Sequence, residues 1–289
     1  MIGTAAERDL KTADYQRVRK KPAGLLRPAA ALAAVCWLLA GLTGLIWKMA
    51  GNAGLLERTM QARAPAEITG LPEEEYPAVA GRIADYLTGR ESEFQHTFTG
   101  PDGAVYRCFH DYEAAHMADC RALIALDRQV CLALLSLSSV LTIWILLRIS
   151  GRGKPETPGS NEEGRQKAER AAEACKGLAV GLLAFALISL GMGLWASVNF
   201  DGFFRTFHRI AFTNEGWLLN PRTDLLIRLM PAEFFKDLGI RGLLYYLPLP
   251  VLLGCAAFSG IRRAACSGGG FRGKKNGRHR PAADLERRT

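Results

Sequence analysis

Four stretches of the chain carry no charged side chain: residues 28–47, 129–147, 177–200 and 242–261, or 20, 19, 24 and 20 residues. At about 1.5 Å of rise per residue, roughly 20 apolar residues in a helix match the ~30 Å hydrocarbon core of a bilayer. The pattern therefore predicts four transmembrane helices. A hydrophobic content of 49% is ordinary for a globular chain, so it is the gathering of these residues into blocks that sets this one apart. A signal peptide is the rival reading of the first run, because Arg19, Lys20, Lys21 and Arg27 lead into it. The run exceeds the ~7–15 residues of a signal core, and no small-residue cleavage site follows Trp47, which favours an anchor.

The segments between the runs have patterns of their own. Residues 48–127 are too many for a simple loop and predict a small folded cap. Leu71–Arg90 reads as helix: Pro72 and Glu73 to Glu75 suit a first turn, and Tyr76, Val79, Ile83 and Leu87 recur at helical spacing. Phe94, His96 and Phe98 alternate before Gly100-Pro101-Asp102-Gly103, and Val105, Arg107 and Phe109 alternate after it, the pattern of a hairpin. From Tyr112 a helical pattern continues without a breaker into the second run, putting His116, Asp119 and Leu123 on one face. Between the third and fourth runs, Phe203, Phe204, Phe207 and Phe212 surround His208 as in an interfacial helix, with Trp217 as a further anchor. After the break at Asn220-Pro221, a second short amphipathic helix is expected over Asp224, Leu225, Ile227, Leu229, Phe234 and Phe235. Gly177, Gly181, Gly191 and Gly193 in the third run predict close helix approach, and Pro248 and Pro250 predict a distortion of the fourth.

The fold class expected is thus a mainly α membrane protein, four transmembrane helices with a small α+β extracytoplasmic cap and interfacial helices. The layout is a basic, disordered tail over 1–24; a first helical hairpin over 25–149 carrying the cap 48–127; a linker over 150–176; a second hairpin over 177–261 carrying the interfacial segment 201–241; and a second basic, disordered tail over 262–289.

Charge then orients the spans. Lys and Arg number 23 in the 84 residues of the two tails and the 148–176 segment, against 14 in the 122 residues of segments 48–128 and 201–241. By the positive-inside rule both termini and the central connection are cytoplasmic, in a multi-pass plasma-membrane protein whose two larger outer segments face outward. The net charge of +9 is concentrated in the tails, which suits anionic headgroups and argues against nucleic-acid binding. Cys108 and Cys120 share the cap, either as a disulfide or as two buried thiols.

Chemistry at the outer lipid boundary falls to His116 and His208. Imidazole exchanges a proton near neutral pH, and partial desolvation among phenylalanines keeps it uncharged and basic. A lone interfacial histidine is more often a hydrogen-bonded structural residue, and His96 on its hairpin is read that way. Asp119, one turn beyond His116, is placed either to orient that ring or to pair with Arg121 or Arg128. Asp224 is placed to cap the following helix. Arg205, Arg209, Arg222 and Arg228 are placed to bind phosphate or an oxyanion, or simply to snorkel. A metal site of His116, His208 and Asp119 is chemically conceivable but lacks ligand spacing, and neither metal nor cofactor is expected.

At this point the chain resembles a family. EAAHMAD, Glu113 to Asp119, together with FHRIAFTNEGWLLNPRTDLLIRLMPAEFF, Phe207 to Phe235, is similar to the four-span bacterial membrane proteins that include the lipoprotein intramolecular transacylases, the Lit-like proteins. Phe207, His208, Phe212, Asn214, Trp217, Pro221, Asp224, Leu226, Ile227, Pro231 and Phe235 stand at the positions the resemblance requires, and coverage runs from about Leu25 to Ile261. Asn220 stands where an aspartate is usual, and Cys120 where a small aliphatic residue is usual. The resemblance implies transfer of an ester-linked acyl chain from the diacylglyceryl group of a lipoprotein to the α-amino group of its N-terminal cysteine, with no cofactor. It implies His116 or His208 as base, Asp119 as orienter, and Arg209, Asn214, Trp217 and Asp224 in substrate binding. The partners implied are a diacylated lipoprotein and membrane lipid. The alternatives are the same scaffold acting on another lipid, and a non-enzymatic membrane scaffold or receptor.

Overall fold

A computed structural model describes residues 24–100, 102–150 and 160–269. The two tails expected to be disordered, and the glycine- and proline-rich start of the linker, lie largely outside the described residues. The spans are α1 (Leu26–Ala50), α5 (Asp111–Ser150), α6 (Ser160–Val198) and the pair α9 (Ala232–Tyr246) and α10 (Pro248–Gly269). All four pass as membrane-crossing helices in length and hydropathy. Between them lie α2 (Ala53–Arg63), α3 (Ala66–Thr69), a 3-10 turn (Glu73–Glu75), α4 (Tyr76–Leu87), the antiparallel strands β1 (Thr97–Thr99) and β2 (Val105–Arg107), α7 (Phe200–Ala211) and α8 (Leu225–Leu229).

The spans meet through small residues and a few cross-helix hydrogen bonds. α1 lies at the centre against α5 and α6. A Cβ at Gly181 of α6 would stand 2.5 Å from the Ala31 carbonyl oxygen and 2.9 Å from the Ala34 Cβ, and one at Gly177 would run into Arg27 and Ala30. Glycine at these two positions, one turn apart, lets the backbones approach where any side chain would hold them off. Gly191 and Gly193, expected to serve packing as well, have nothing within 4 Å of their Cβ positions. The Trp37 indole donates to the Thr142 hydroxyl at 3.1 Å, and the Tyr246 hydroxyl donates to the Leu38 carbonyl at 2.7 Å. The fourth span is divided at Leu247, just before Pro248, because proline brings no N–H and clashes with the preceding turn.

The helix α5 has 40 residues, so it is about 60 Å long, twice the hydrocarbon thickness. With its apolar run at 129–147, its first four turns rise clear of the bilayer and enter the cap. There one core joins Met60, Tyr76, Ile83, Phe94 and Phe109 of the cap to Met117 of α5 and to Leu226, Leu229 and Phe234 from the segment before the fourth span. The two non-membrane segments thus share a single core. A bidentate pair, Arg63 to Asp237 at 2.7 and 2.8 Å, adds a tie between α2 and α9.

Two local expectations change. Phe234 and Phe235 do not share a helix with Leu225–Leu229; Pro231 separates them and they open α9. The predicted helix over Leu71–Arg90 is shorter, with a 3-10 turn at Glu73–Glu75 and the α-helix ending at Leu87. Of the two alternatives for Cys108 and Cys120, the structure has free thiols, and burial pushes Cys108 up to about 12.

Candidate functional site

His116 and His208 are 92 residues apart in the chain, yet their ring centroids stand 6.2 Å apart. His116 lies in the second turn of α5 and His208 near the end of α7, and both side chains are buried. Asn199 caps α7, its carboxamide oxygen accepting from the Gly202 amide at 2.9 Å, so the helix starts immediately after α6 and turns along the cap. Aromatic rings close around His208: Phe204 at 4.1 Å, Trp217 at 5.1 Å, Phe207 at 5.3 Å and Phe212 at 5.5 Å between centroids. Phe212 also meets His116 edge-on at 5.2 Å. Phe207 is half-exposed at the edge of this cage, and the opposite side of α7 presents Ile210 outward, 82% exposed, as a helix lying against lipid does.

The hydrogen bonds of the two rings differ, and the difference fixes which nitrogen is free. His208 Nδ1 lies 2.8 Å from the Phe204 carbonyl oxygen. A carbonyl only accepts, so Nδ1 carries the proton and Nε2 presents its lone pair. His116 Nε2 lies 3.5 Å from Cys120 Sγ, while Nδ1 is buried without any partner. Burial beside Asp119 pushes the Cys120 thiol up to about 12, so it is S–H at neutral pH. Sulfur is a weak acceptor and imidazole nitrogen a strong one, so the thiol donates to Nε2 and Nδ1 bears the hydrogen. Burial lowers the pKa of both histidines below the ordinary 6.5, and for His116 the neighbouring His208 adds to the effect while Asp119 opposes it. Both rings are neutral at pH 7, one offering a lone pair and the other an N–H.

The remaining predicted residues divide into those at the pair and those that frame it. Asp119 does not hydrogen-bond either histidine; its carboxylate accepts from the Asn214 carboxamide at 2.9 Å, and Asn214 in turn accepts from the Gly216 amide at 2.9 Å. Together they tie α5 to the loop that carries Trp217. Arg209 is exposed, on the flank of α7 next to the buried His208. Asp224 is buried, and its carboxylate accepts from the Tyr112 and Thr223 hydroxyls, both at 2.6 Å, and from the Asn220 amide at 2.7 Å. Burial opposes its charge, but these bonds outweigh it and hold the carboxyl below its usual range. Its oxygens are fully engaged within the fold. His96 Nε2 lies 2.8 Å from Glu75, a structural pairing. Among the described residues no group of three or more His, Cys, Asp or Glu side chains is arranged to hold a metal ion.

Asp224 occupies the N-cap position of α8 without making the expected cap bond. That bond comes from Glu113, whose side chain is entirely buried. One carboxylate oxygen accepts from the His110 amide at 2.7 Å just before the start of α5, the Glu half of a capping box, and the other accepts from the Leu226 amide at 2.8 Å, capping α8 from a different part of the chain. A single carboxylate thus satisfies amides at two helix ends, where the helix dipoles also favour a negative charge. The His110 contact is local along the chain; the partner 113 residues away is not. Glu113→Ala is expected to destabilise the protein by about 1–3 kcal/mol for each amide left without a partner, with Glu113→Gln intermediate, read as a shift in denaturant midpoint of the purified protein in detergent. Asn220 closes an Asx turn by accepting from the Arg222 amide at 3.0 Å. An amide oxygen serves there as a carboxylate would, and adds no second charge beside Asp224.

Comparison with known proteins agrees with this architecture. The family model for the lipoprotein intramolecular transacylase Lit matches residues 31–235. The membrane-integral lipoprotein intramolecular transacylase Lit from Bacillus cereus, 16% identical, superposes over 82% of this chain and 96% of its own with a TM-score of 0.57. A variant of that protein with a histidine-to-arginine substitution, 15% identical, covers 91% of this chain and 100% of its own with a TM-score of 0.54. At these identities the two structures show a shared fold. No curated protein matches the sequence. With the family model spanning more than two thirds of the chain and the same four-span fold beneath it, this multi-pass membrane protein belongs to the lipoprotein intramolecular transacylase family, a family of acyltransferases.

Proposed function

We propose that the protein moves one ester-linked acyl chain from the diacylglyceryl group of a lipoprotein to the α-amino group of the same N-terminal cysteine, at the outer face of the membrane, with His208 as general base and His116 as oxyanion donor. The observation that carries this reading is the complementary pair of neutral rings 6.2 Å apart, one with a free lone pair and the other with an unmet N–H. The α-amine attacks the ester carbonyl and gives a proton to His208 Nε2. The carbonyl oxygen, now an oxyanion, accepts from His116 Nδ1–H. Collapse expels the glyceryl oxygen, which takes the proton back from the imidazolium. One C–N bond forms, one C–O bond breaks, and an ester is exchanged for a more stable amide without an energy cofactor. Amine and ester belong to one molecule, so proximity favours direct attack over a covalent acyl-histidine.

The framing residues support the same reading. The aromatic cage keeps water from competing with the amine for the ester, and the lipid-facing side of α7 suits a substrate that arrives laterally. Asp119 and Asn214 hold the Trp217 loop against α5 and so act as positioning residues. Asp224 acts through the turn it organises. Arg209, on the exposed side of α7, is suited to lipid phosphate near the entrance.

The test is co-expression with a diacylated lipoprotein in a host lacking this activity, followed by mass spectrometry of the N-terminal lipopeptide. The expected product is a lyso-glyceryl, N-acylated peptide; an unchanged free α-amine beside well-expressed protein refutes the assignment. The pH profile follows from the two required neutral groups. The substrate amine, with an ordinary pKa of about 8, makes the rate climb about tenfold per pH unit up to that point. His208 adds a second proton dependence only below 6.5, because its pKa is lowered. Initial rates in mixed micelles therefore fall with a slope of one between pH 8 and 6.5 and more steeply below; a slope of two already at pH 7 contradicts a desolvated base.

A further inference from the structure

On the side of α5 turned away from Cys120 lies a cavity of about 350 Å³, within the roughly 300–1,000 Å³ range of ligand pockets. Its walls include Trp47, Arg121, Arg128, Gln129 and Leu132. Arg121, Ala125, Arg128 and Leu132 recur at i, i+4, i+7 and i+11 and so form one stripe of the helix. We propose that this cavity binds the headgroup phosphate of an anionic phospholipid.

Three observations lead there. First, the cavity sits at the level where two spans independently lose their apolar character: Trp47 is the last residue of the first charge-free run, and Gln129 is the first of the second. Their meeting places the cavity in the headgroup layer, with Leu132 on the hydrocarbon side and the arginines on the aqueous side. Second, both guanidinium groups are held in place by aromatic rings, Arg128 at 5.6 Å from the Trp47 ring centre and Arg121 at 5.0 Å from that of Tyr86. A stacked guanidinium has given up much of its rotamer freedom before the ligand arrives, which lowers the cost of binding. Third, neither arginine is within ion-pair distance of a carboxylate among the described residues, and no acidic side chain lines the cavity. Arg121 spends one N–H on the Ser92 carbonyl at 3.5 Å; its other donors, and all of those of Arg128, are available to phosphate oxygens.

Two uncompensated cations select for a net negative lipid. A zwitterionic phosphatidylcholine headgroup carries its own ammonium beside the phosphate and leaves both positive charges of the site in excess, whereas phosphatidylglycerol, with one net negative charge, halves that excess. A soluble phosphate would use the arginines but leave the apolar wall at Leu132 and Ala125 uncovered, so the lipid form gains burial that the free ion cannot.

Native mass spectrometry of the full chain released from mixed micelles containing equal phosphatidylglycerol and phosphatidylcholine tests this directly. Wild-type protein is expected to retain phosphatidylglycerol preferentially. Removing an arginine near a charged lipid surface weakens binding by about fivefold each, and Arg121→Gln with Arg128→Gln by on the order of thirtyfold; Arg128→Lys keeps most of the preference. Equal retention of the two lipids by the wild type, which needs no variant, overturns the proposal. So does undiminished retention of phosphatidylglycerol by the folded double variant, or displacement of the lipid by an equal concentration of glycerol phosphate, which marks a site for free anions.

Discussion

His208→Gln is expected to reduce acyl transfer by about 100- to 10,000-fold, the range for loss of a positioned general base, with membrane incorporation unchanged. Glutamine is the informative substitution because its amide is close to imidazole in size and puts a non-basic amide where Nε2 stood, at the cost of the bond by which Nδ1 donates to the Phe204 carbonyl at 2.8 Å. The aromatic cage therefore stays filled, while the basic lone pair is gone. The yield of N-acylated lipopeptide relative to total lipopeptide is the measurement. A variant retaining a third or more of wild-type transfer would remove His208 from the chemistry and leave it as a structural residue of the cage.

The second large effect belongs to His116. Its Nδ1–H has no acceptor among the described residues, a buried donor that a carbonyl oxygen of the substrate would satisfy. His116→Ala is expected to cost about 100- to 1,000-fold, as removal of an oxyanion donor does, whereas His116→Gln, which still offers an N–H, falls between alanine and wild type. Cys120 supplies an independent control. It acts through His116 Nε2 by a single weak bond at 3.5 Å, so Cys120→Ala should lose only roughly two- to tenfold, and Cys120→Ser, keeping an O–H donor, should recover part of that loss. If His116→Gln is inert while His208→Gln retains partial activity, the roles of base and donor are reversed.

Much of this protein can be read directly from the order of its residues. A charge-free run of about 20 residues has few alternatives to a membrane span, because a bilayer leaves no other way to satisfy an isolated segment's backbone; the first two runs lie wholly within single helices, the third is helical as far as the break at Asn199, and the fourth is interrupted only at Leu247. The long helix through His116 is legible for the same local reason, an unbroken helical pattern from Tyr112 onward. The two histidines can be named as candidates from their chemistry and their flanking phenylalanines. Their contact, at 6.2 Å, is not in that pattern, since periodicity within each helix says nothing about how two helices meet.

The errors lie where a side chain had a choice of partners. Asp119 was equally well placed in sequence for His116, Arg121 or Arg128, and the fold gives it Asn214. Asp224 has the right type and position for a cap, yet the fold turns its carboxylate toward Tyr112 and Thr223 and brings Glu113 to the amide instead. Gly177 and Gly181 face another helix and Gly191 and Gly193 do not, although all four carry the same local signal.

Sequence by itself determined the number of spans, the helical character of the site's two carriers, and the residue types able to move a proton at a lipid boundary. These follow from solvent and from near neighbours along the chain, which any segment feels wherever it is placed. Only the tertiary structure decided that the two histidines meet, and which carboxylate caps which helix. Those outcomes turn on contacts between segments about 100 residues apart, whereas the free nitrogen of each ring follows from a partner one turn away in its own helix, the Phe204 carbonyl for His208 and the Cys120 thiol for His116.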